Sequence, residues 1–320
     1  PAGGGGVLPL PALAPGRGLK RLIITADDFG AAREVNDAVE AAHRGGVLTA
    51  ASLMIAAPAA ADAIARARRL NSLRVGLHLT LLQGRPVLPA HAVSRLLDRA
   101  GTFLSNPAVL GTRIMASREA RRQLAAEIGA QFAAFGDSGL ALDHCNAHLH
   151  FHLHPLVGQL IVAIGARFGL RAVRLPLEPA AVLRKVEPRA WSACAALTVP
   201  FALALRRRLA KAHLLVAEHT FGLRWSGRMT AARLAGLVRH LPEGVSEIYL
   251  HPATGAYPGA ARGYRYAEEL HALTDAQVLV ACREAALRLG GFADFAAAGS
   301  PAAPRMAGRT GAAPRSGVSA

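Results

Sequence analysis

Residues 142–155, LDHCNAHLHFHLHP, carry five of the chain's thirteen histidines: His144, His148, His150, His152 and His154. Neutral imidazole is the commonest metal-ligating side chain and titrates nearest physiological pH, so the cluster points to a metal site, to acid–base chemistry, or to composition alone. Spacing narrows the choice. In an extended chain, residues two apart share a face at roughly 6–7 Å, so His148, His150, His152 and His154 would face one way. Neighbours in that row can share an ion, whereas His148 and His154, roughly 20 Å apart, cannot. At most one or two of these histidines hold a given metal, and a complete site recruits ligands from elsewhere.

Three other places offer them. ADDFG (26–30) sets Asp27 and Asp28 side by side at the end of an apolar run. Adjacent side chains on an extended chain point apart, so one carboxylate can ligate an ion while the other reaches a water. An Asp pair ahead of a helix also serves simply as a cap. His78 in GLHLT and His251 in YLHPATG each end an apolar stretch, where a lone histidine is as readily a hydrogen-bonded core residue. One carboxylate and two imidazoles would leave open positions on Zn²⁺ or on a harder divalent ion. With a carboxylate as base and a histidine across the pocket as acid, that is machinery for hydrolysing an amide or ester.

Alternating elements must position these groups. Strands are expected at 21–26, 49–56, 73–80, 140–146, 171–176 and 246–251, from short apolar runs. Helices are expected at 33–46, 58–70, 117–136, 155–169 and 230–242, with two more around 265–272 and 275–289. This alternation predicts an α/β fold with a parallel sheet, and at this length a (β/α) barrel rather than an open sheet. Barrel chemistry sits at the C-terminal strand ends. Asp27 and Asp28, His78, the His148 cluster and His251 all follow strands, at the same end.

The net charge of +16 over 320 residues invites a polyanion partner, but the basic residues are almost all Arg in an Ala-, Gly- and Pro-rich chain. No aromatic–basic clustering marks a nucleic-acid surface, so no nucleic acid is expected as a partner. Three scattered cysteines, Cys145, Cys194 and Cys282, make neither a zinc ribbon nor a disulfide framework, and a reducing, cytoplasmic compartment is expected. Residues 1–19 and 297–320 read as disordered tails around one domain at 20–296. No apolar run reaches spanning length.

TADDFG, GLHLT, AHLHFH, RLP and EIYLHP occur in the order found in the YdjC-like carbohydrate deacetylases, which the chain resembles over residues 20–296. EVNDAVEAAHRGGVLTAASLMI, LDHCNAHLHFHLHP and FGLRWSG resemble its hopanoid-biosynthesis-associated (HpnK) branch more narrowly. The resemblance implies an irregular TIM-like (β/α) barrel and one divalent metal ion, Mg²⁺ or Zn²⁺. It implies Asp27 as catalytic base and His251 as acid, with Asp28, His78 and His148 as metal ligands. Arg174, His150 and His152 would bind substrate or line its pocket, Arg174 alternatively orienting the catalytic carboxylate. Asn146 stands where the common family segment has Asp, and His154 is expected to be structural, ahead of the helix at Pro155.

The implied substrate is an N-acetylated amino-sugar, for the branch a lipid-linked N-acetylglucosamine on a hopanoid. A soluble chito-oligosaccharide or another amide is the alternative. A lipid substrate brings the chain to a bilayer, peripherally on the inner face of the cytoplasmic membrane. Segment 191–215, with apolar residues beside Arg206, Arg207, Arg208 and Lys211, suits an anionic surface. The same pattern fits an ordinary amphipathic helix with a solvated basic end. A homodimer is the assembly considered.

Overall fold

A computed structural model describes residues 20–189 and 193–296. The expected tails 1–19 and 297–320 lie outside the described residues. The chain opens with β1 (Lys20–Phe29), α1 (Arg33–Gly45), β2 (Ala50–Leu53), α2 (Ala60–Ala67) and β3 (Arg74–Leu79). Then come α3 (Pro107–Ala116), α4 (Arg118–Asp137), β4 (Leu142–Ala147), α5 (Pro155–Gly165), α6 (Ala180–Val186) and α7 (Ala193–Lys211). The remainder is β5 (His219–Phe221), α8 (Ala231–Arg239), β6 (Gly244–Leu250), α9 (Tyr266–Thr274), α10 (Ala276–Glu284), β7 (Arg288–Leu289) and α11 (Phe292–Phe295).

Every strand pairing is parallel, in the order β4-β3-β2-β1-β6-β5, with β7 on the first residues of β1. The sheet is a parallel half-barrel. Between its edges the connection thins to isolated bridges, Cys145 with Val173 and Ala172 with Leu215. The strand expected at 171–176 is thus reduced to bridge residues. Pro176, which lacks an N–H, ends any ladder there.

β1 is central because it is apolar on both faces, and from Leu22 to Phe29 every residue is buried. Parallel strands covered on both sides require such runs. One core cluster reaches from Leu22 to Leu287, enclosing the apolar faces of α1, α4, α5 and α8.

Helix α4 departs from simple amphipathicity. Gln123, Glu127 and Gln131 recur every four residues on its buried face. Gln131 accepts from Thr80 N–H (3.0 Å) and donates to Thr80 C=O (2.8 Å). Glu127 accepts from Val87 N–H (2.8 Å) and Leu88 N–H (3.1 Å), and Gln123 from Arg95 N–H (2.8 Å). A loop without its own ladder must bond its backbone somewhere, and the segment after β3 hangs on this polar row.

Helix α7 buries Ala202, Leu205 and Leu209 but leaves Leu197, Phe201 and Leu203 exposed, Leu197 by 73%. Arg206, Arg207 and Lys211 are also exposed. Among the described residues no helix is long and apolar enough to cross a membrane.

Candidate active site

The ends of β1, β3 and β4 meet over one hollow. On β1 the register against β2 shifts between Ala26 and Phe29, and Asp28 takes a left-handed φ of 62°. Asp is among the few residues that tolerate this conformation. The irregularity re-aims side chains at the strand's end, so Asp27 and Asp28 serve different neighbours. Gly30 (φ 94°) completes the turn, and a Cβ there would come within 3.1–3.3 Å of Leu53, Ala60 and Met54. Buried Asn36 locks it, accepting from Gly30 N–H (2.8 Å) and donating to Ala59 C=O (3.0 Å) and Asp62 (2.9 Å).

Asp28, His78 and His148 come together: one ligand-type atom from each lies within 4.8 Å of the others. Asp28 Oδ1 is 3.3 Å from His78 Nε2 and 3.1 Å from His148 Nδ1. His78 Nδ1–H donates to Asn146 Oδ1 (2.7 Å), which leaves a lone pair on Nε2. That buried Nε2 has no hydrogen-bond partner among the described residues. The far nitrogen of His148 contacts Gln83 Oε1 (3.3 Å). Histidines that ligate metals are commonly fixed in this way through the other ring nitrogen. Burial would raise the Asp28 pKa and lower that of His148, but their mutual attraction wins and moves them oppositely, Asp28 well down and His148 up. The donor set fits a divalent ion.

Asp27 faces the other way. Arg174 donates to Oδ1 through Nη2 (2.9 Å) and to Oδ2 through Nη1, while Asn146 Nδ2 donates to Oδ1 (3.2 Å). Arg174 is fully buried, its Nε and Nη2 bonded to Glu247 Oε1 (3.0 and 2.8 Å) and its plane 4.4 Å from the Tyr249 ring. Burial alone would raise the Asp27 pKa, yet Arg174, with a smaller share from His78, holds it far below the carboxylate range. The clamp therefore holds Asp27 as an oriented anion.

The remaining histidines are not an extended row. Residues 148–153 form a tight turn with left-handed Leu149 and His150 (φ 53° each), because β4 stops at Ala147. His150 Nε2 meets Tyr249 Oη at 2.9 Å. His152 is fully buried, and its Nε2–H donates to Arg174 C=O (3.1 Å); burial pulls its pKa down to about 3. His154 caps α5, accepting from Leu156 N–H (3.3 Å). His251 packs against Tyr249 and Tyr264, ring centroids 5.7 and 5.1 Å away, and burial lowers its pKa. Its Nδ1 lies 3.9 Å from Glu269, which accepts the His251 N–H and whose own pKa burial lifts to about 7.

A cavity of about 270 Å³ opens beside Asp28 and His148, walled by Met54, Pro58, Leu82, Tyr257 and Pro258 with Gln83 and Arg85 at its polar side. Arg174, His150 and His152 are absent from this wall, as are Asp27, His78 and His251. Sequence reasoning missed Gln83, Ser52, Glu247, Tyr249 and Tyr257. Each is an isolated polar or aromatic residue whose use depends on tertiary contacts that no local pattern marks.

Residues 21–284 match the family model described as YdjC-like protein. The chain is 32% identical over 288 residues to the carbohydrate deacetylase of Mus musculus, covering 79% of this chain and 88% of that one. It is 28% identical over 279 residues to the carbohydrate deacetylase of Geobacillus stearothermophilus, covering 85% and 97%. A crystal structure from Enterococcus faecalis V583, described as a cellobiose-phosphate cleavage protein, shares the fold with a TM-score of 0.66 at 23% identity, over 87% of this chain and 100% of that one. With the family model spanning most of its length, and an Asp–His–His cluster at the ends of its parallel strands, the chain belongs to the YdjC-like protein family.

Proposed function

We propose that this chain is a metal-dependent deacetylase that hydrolyses the acetamido group of an N-acetylated amino-sugar. The observation that carries the reading is the pairing of two carboxylates with opposite duties: Asp28 within reach of two imidazoles, and Asp27 held as an oriented anion 2.9 Å from Arg174. The carbohydrate deacetylase names of the relatives agree with it. Two imidazoles and one carboxylate suit Zn²⁺ better than Mg²⁺, which prefers oxygen ligands. When bound, such an ion supplies Lewis acidity for amide cleavage. Asp27 orients the attacking water and takes its proton at the carboxylate. His251, neutral in the resting site, takes up the proton that Asp27 has received from the water and passes it to the departing amine. Arg174 orients Asp27, while His150 and His152 support the pocket. The two bridges beyond β4 favour reading the half-barrel as part of an irregular (β/α) barrel, whose chemistry belongs at these strand ends.

The apolar cavity wall favours a sugar with an apolar carrier, the lipid-linked N-acetylglucosamine of the hopanoid-associated branch, over a soluble chito-oligosaccharide. The exposed apolar and basic residues of α7 fit peripheral contact with an anionic membrane, on its cytoplasmic face. Acetate release from a glucosamine-type lipid and from chitobiose, with and without added Zn²⁺, tests the proposal. Release is expected with the ion, faster on the lipid, and lost in Asp27→Asn, by about 10²–10⁴-fold for a removed base. Asp28→Ala, His78→Ala and His148→Ala should each lower bound metal in elemental analysis. Full activity of Asp27→Asn, or unchanged metal content in all three ligand variants, overturns it.

A further inference from the structure

Asn146 hydrogen-bonds to both halves of the site. Its Oδ1 accepts from His78 Nδ1–H (2.7 Å), and its Nδ2 donates to Asp27 Oδ1 (3.2 Å) and to Ser52 Oγ (2.9 Å). Behind it the bonding continues: Ser52 Oγ lies 3.0 Å from His144 Nε2, and His144 Nδ1 lies 2.9 Å from Asp143 Oδ2. Asp143 is anchored in turn by Phe292 N–H (3.1 Å) and Ala293 N–H (2.8 Å) at the start of α11. Asp143, His144, Ser52 and Asn146 are all buried, His144 completely, and Gly76 makes room for its ring, since a Cβ there would sit 2.5 Å from it.

We infer that Asn146 is a positioning residue shared by His78 and Asp27, and that Ser52, His144 and Asp143 fix the direction in which its amide points. The inference rests on the metal-dependent reading above. It follows from donor counting along the row. A carboxylate only accepts, so Asp143 draws the His144 proton to Nδ1. His144 Nε2 then accepts the Ser52 hydroxyl proton, and the serine oxygen, its proton spent, can only accept from Asn146. The amide nitrogen therefore faces Ser52 and Asp27, and its oxygen faces His78. That oxygen holds the His78 proton on Nδ1 and leaves Nε2 free for an ion. A reversed amide would set oxygen against the Asp27 carboxylate and nitrogen against an imidazole N–H. Every link favours the same direction, and in a buried row each broken link leaves a polar atom without a partner.

The test is the Zn²⁺ dissociation constant of the full chain, from competition with a chelating dye, for wild type, Asn146→Leu, Asn146→Asp, Ser52→Ala and the Ser52→Ala/Asn146→Leu double variant. Asn146→Leu should weaken binding about 10–100-fold, the range for partners that orient ligating histidines. Asn146→Asp keeps an oxygen toward His78 but sets its other oxygen against Asp27, so it should weaken binding less than Asn146→Leu does, a partial rescue. Ser52 touches no ligand, so Ser52→Ala should weaken binding only through Asn146 and should add nothing in the double variant. Unchanged affinity in Asn146→Leu, no rescue by Asp, or additive effects in the double variant overturn the inference. Should Asn146→Leu fail to fold, wild-type affinity in Ser52→Ala overturns it alone. A wild type that binds no ion fails the metal reading itself, whereas a wild type that binds with these variants unaltered removes this inference only.

Discussion

Arg174 joins Asp27 to Glu247, two carboxylates from different strands that would otherwise be buried without a counter-ion. Its guanidinium offers separate nitrogens to each, with Nη2 serving both at 2.9 and 2.8 Å. A lysine cannot reproduce this fork. Arg174→Met should therefore destabilise the fold by about 3–5 kcal/mol in chemical denaturation, because it strands both charges. Arg174→Lys should keep more of the stability yet lose deacetylation, since Asp27 loses its fixed orientation. Near-wild-type turnover in Arg174→Lys would separate the clamp from the chemistry.

Gly76 and Gly129 make opposite predictions from one substitution. At Gly76 an alanine Cβ meets the His144 ring at 2.5 Å, so Gly76→Ala should cost about 1–3 kcal/mol through overpacking. At Gly129, inside α4, that Cβ would meet nothing within 4 Å beyond its chain neighbours and its own helix backbone among the described residues, and Gly129→Ala should stabilise by about 0.5–1 kcal/mol. Thermal melts of the two variants check both signs.

Glu178 introduces a pH dependence. Its carboxylate accepts from Gly222 N–H (2.9 Å) and Arg224 N–H (3.0 Å), but burial dominates and lifts its pKa from 4.5 to about 7. Between those pH values the folded chain holds a proton that the unfolded chain has lost, so this group's contribution to stability falls as pH rises. Glu178→Gln cannot titrate. The stability of wild type relative to this variant should be greater at pH 5 than at pH 8, by ~3 kcal/mol at most. A difference that is flat with pH would refute the assignment.

The strand-end rule made a pool of Asp27, Asp28, His78, the His148 cluster and His251 legible in the sequence, because each follows a recognisable apolar run, and the family resemblance singled out Asp28, His78 and His148 within it. Strands β5 and β7, of three and two residues, carry no such run, and β7 lies where the pattern continued a helix to 289. The segment 171–176 has a strand's composition but finds only bridge partners. The alternating histidines suggested a flat row, and the left-handed turn at Leu149 and His150 replaced it. Asn146 stood out as a departure from the family pattern, yet its use depends on Ser52, 94 positions away, and on Asp27, 119 away. Short-range pattern does not encode such pairings.

Helix α7 supports a prediction about membranes. Leu197, Phe201 and Leu203 lie exposed ahead of Arg206, Arg207 and Lys211. Arg208 is tied to Pro155 C=O at 2.6 Å and is best left in place. The chain should co-sediment with anionic liposomes at low salt and release as salt rises. Replacing these three exposed cations by Gln should weaken binding by about 3 kcal/mol in all, at about 1 kcal/mol each. Equal association with neutral and anionic vesicles would remove the electrostatic contribution, and a stable dimer in sedimentation would assign this face to a second copy.

The centre is built from the sheet on one side and from a short turn on the other. Asp27 and Asp28 end a strand flanked by β2 and β6 and joined at its base by β7, while His148 sits on a short turn, held by side-chain contacts to Asp28 and Gln83. Amides early in β1 should be among the last to exchange with deuterated solvent, and those of 148–151 among the first near the site. Were an ion held as proposed, His148 is the ligand that could move aside with the sheet intact. The rate of metal exchange would be set by the stiffness of the 148–151 turn, and replacing Leu149 with glycine, at ease in a left-handed conformation, would tune that rate without touching a ligand.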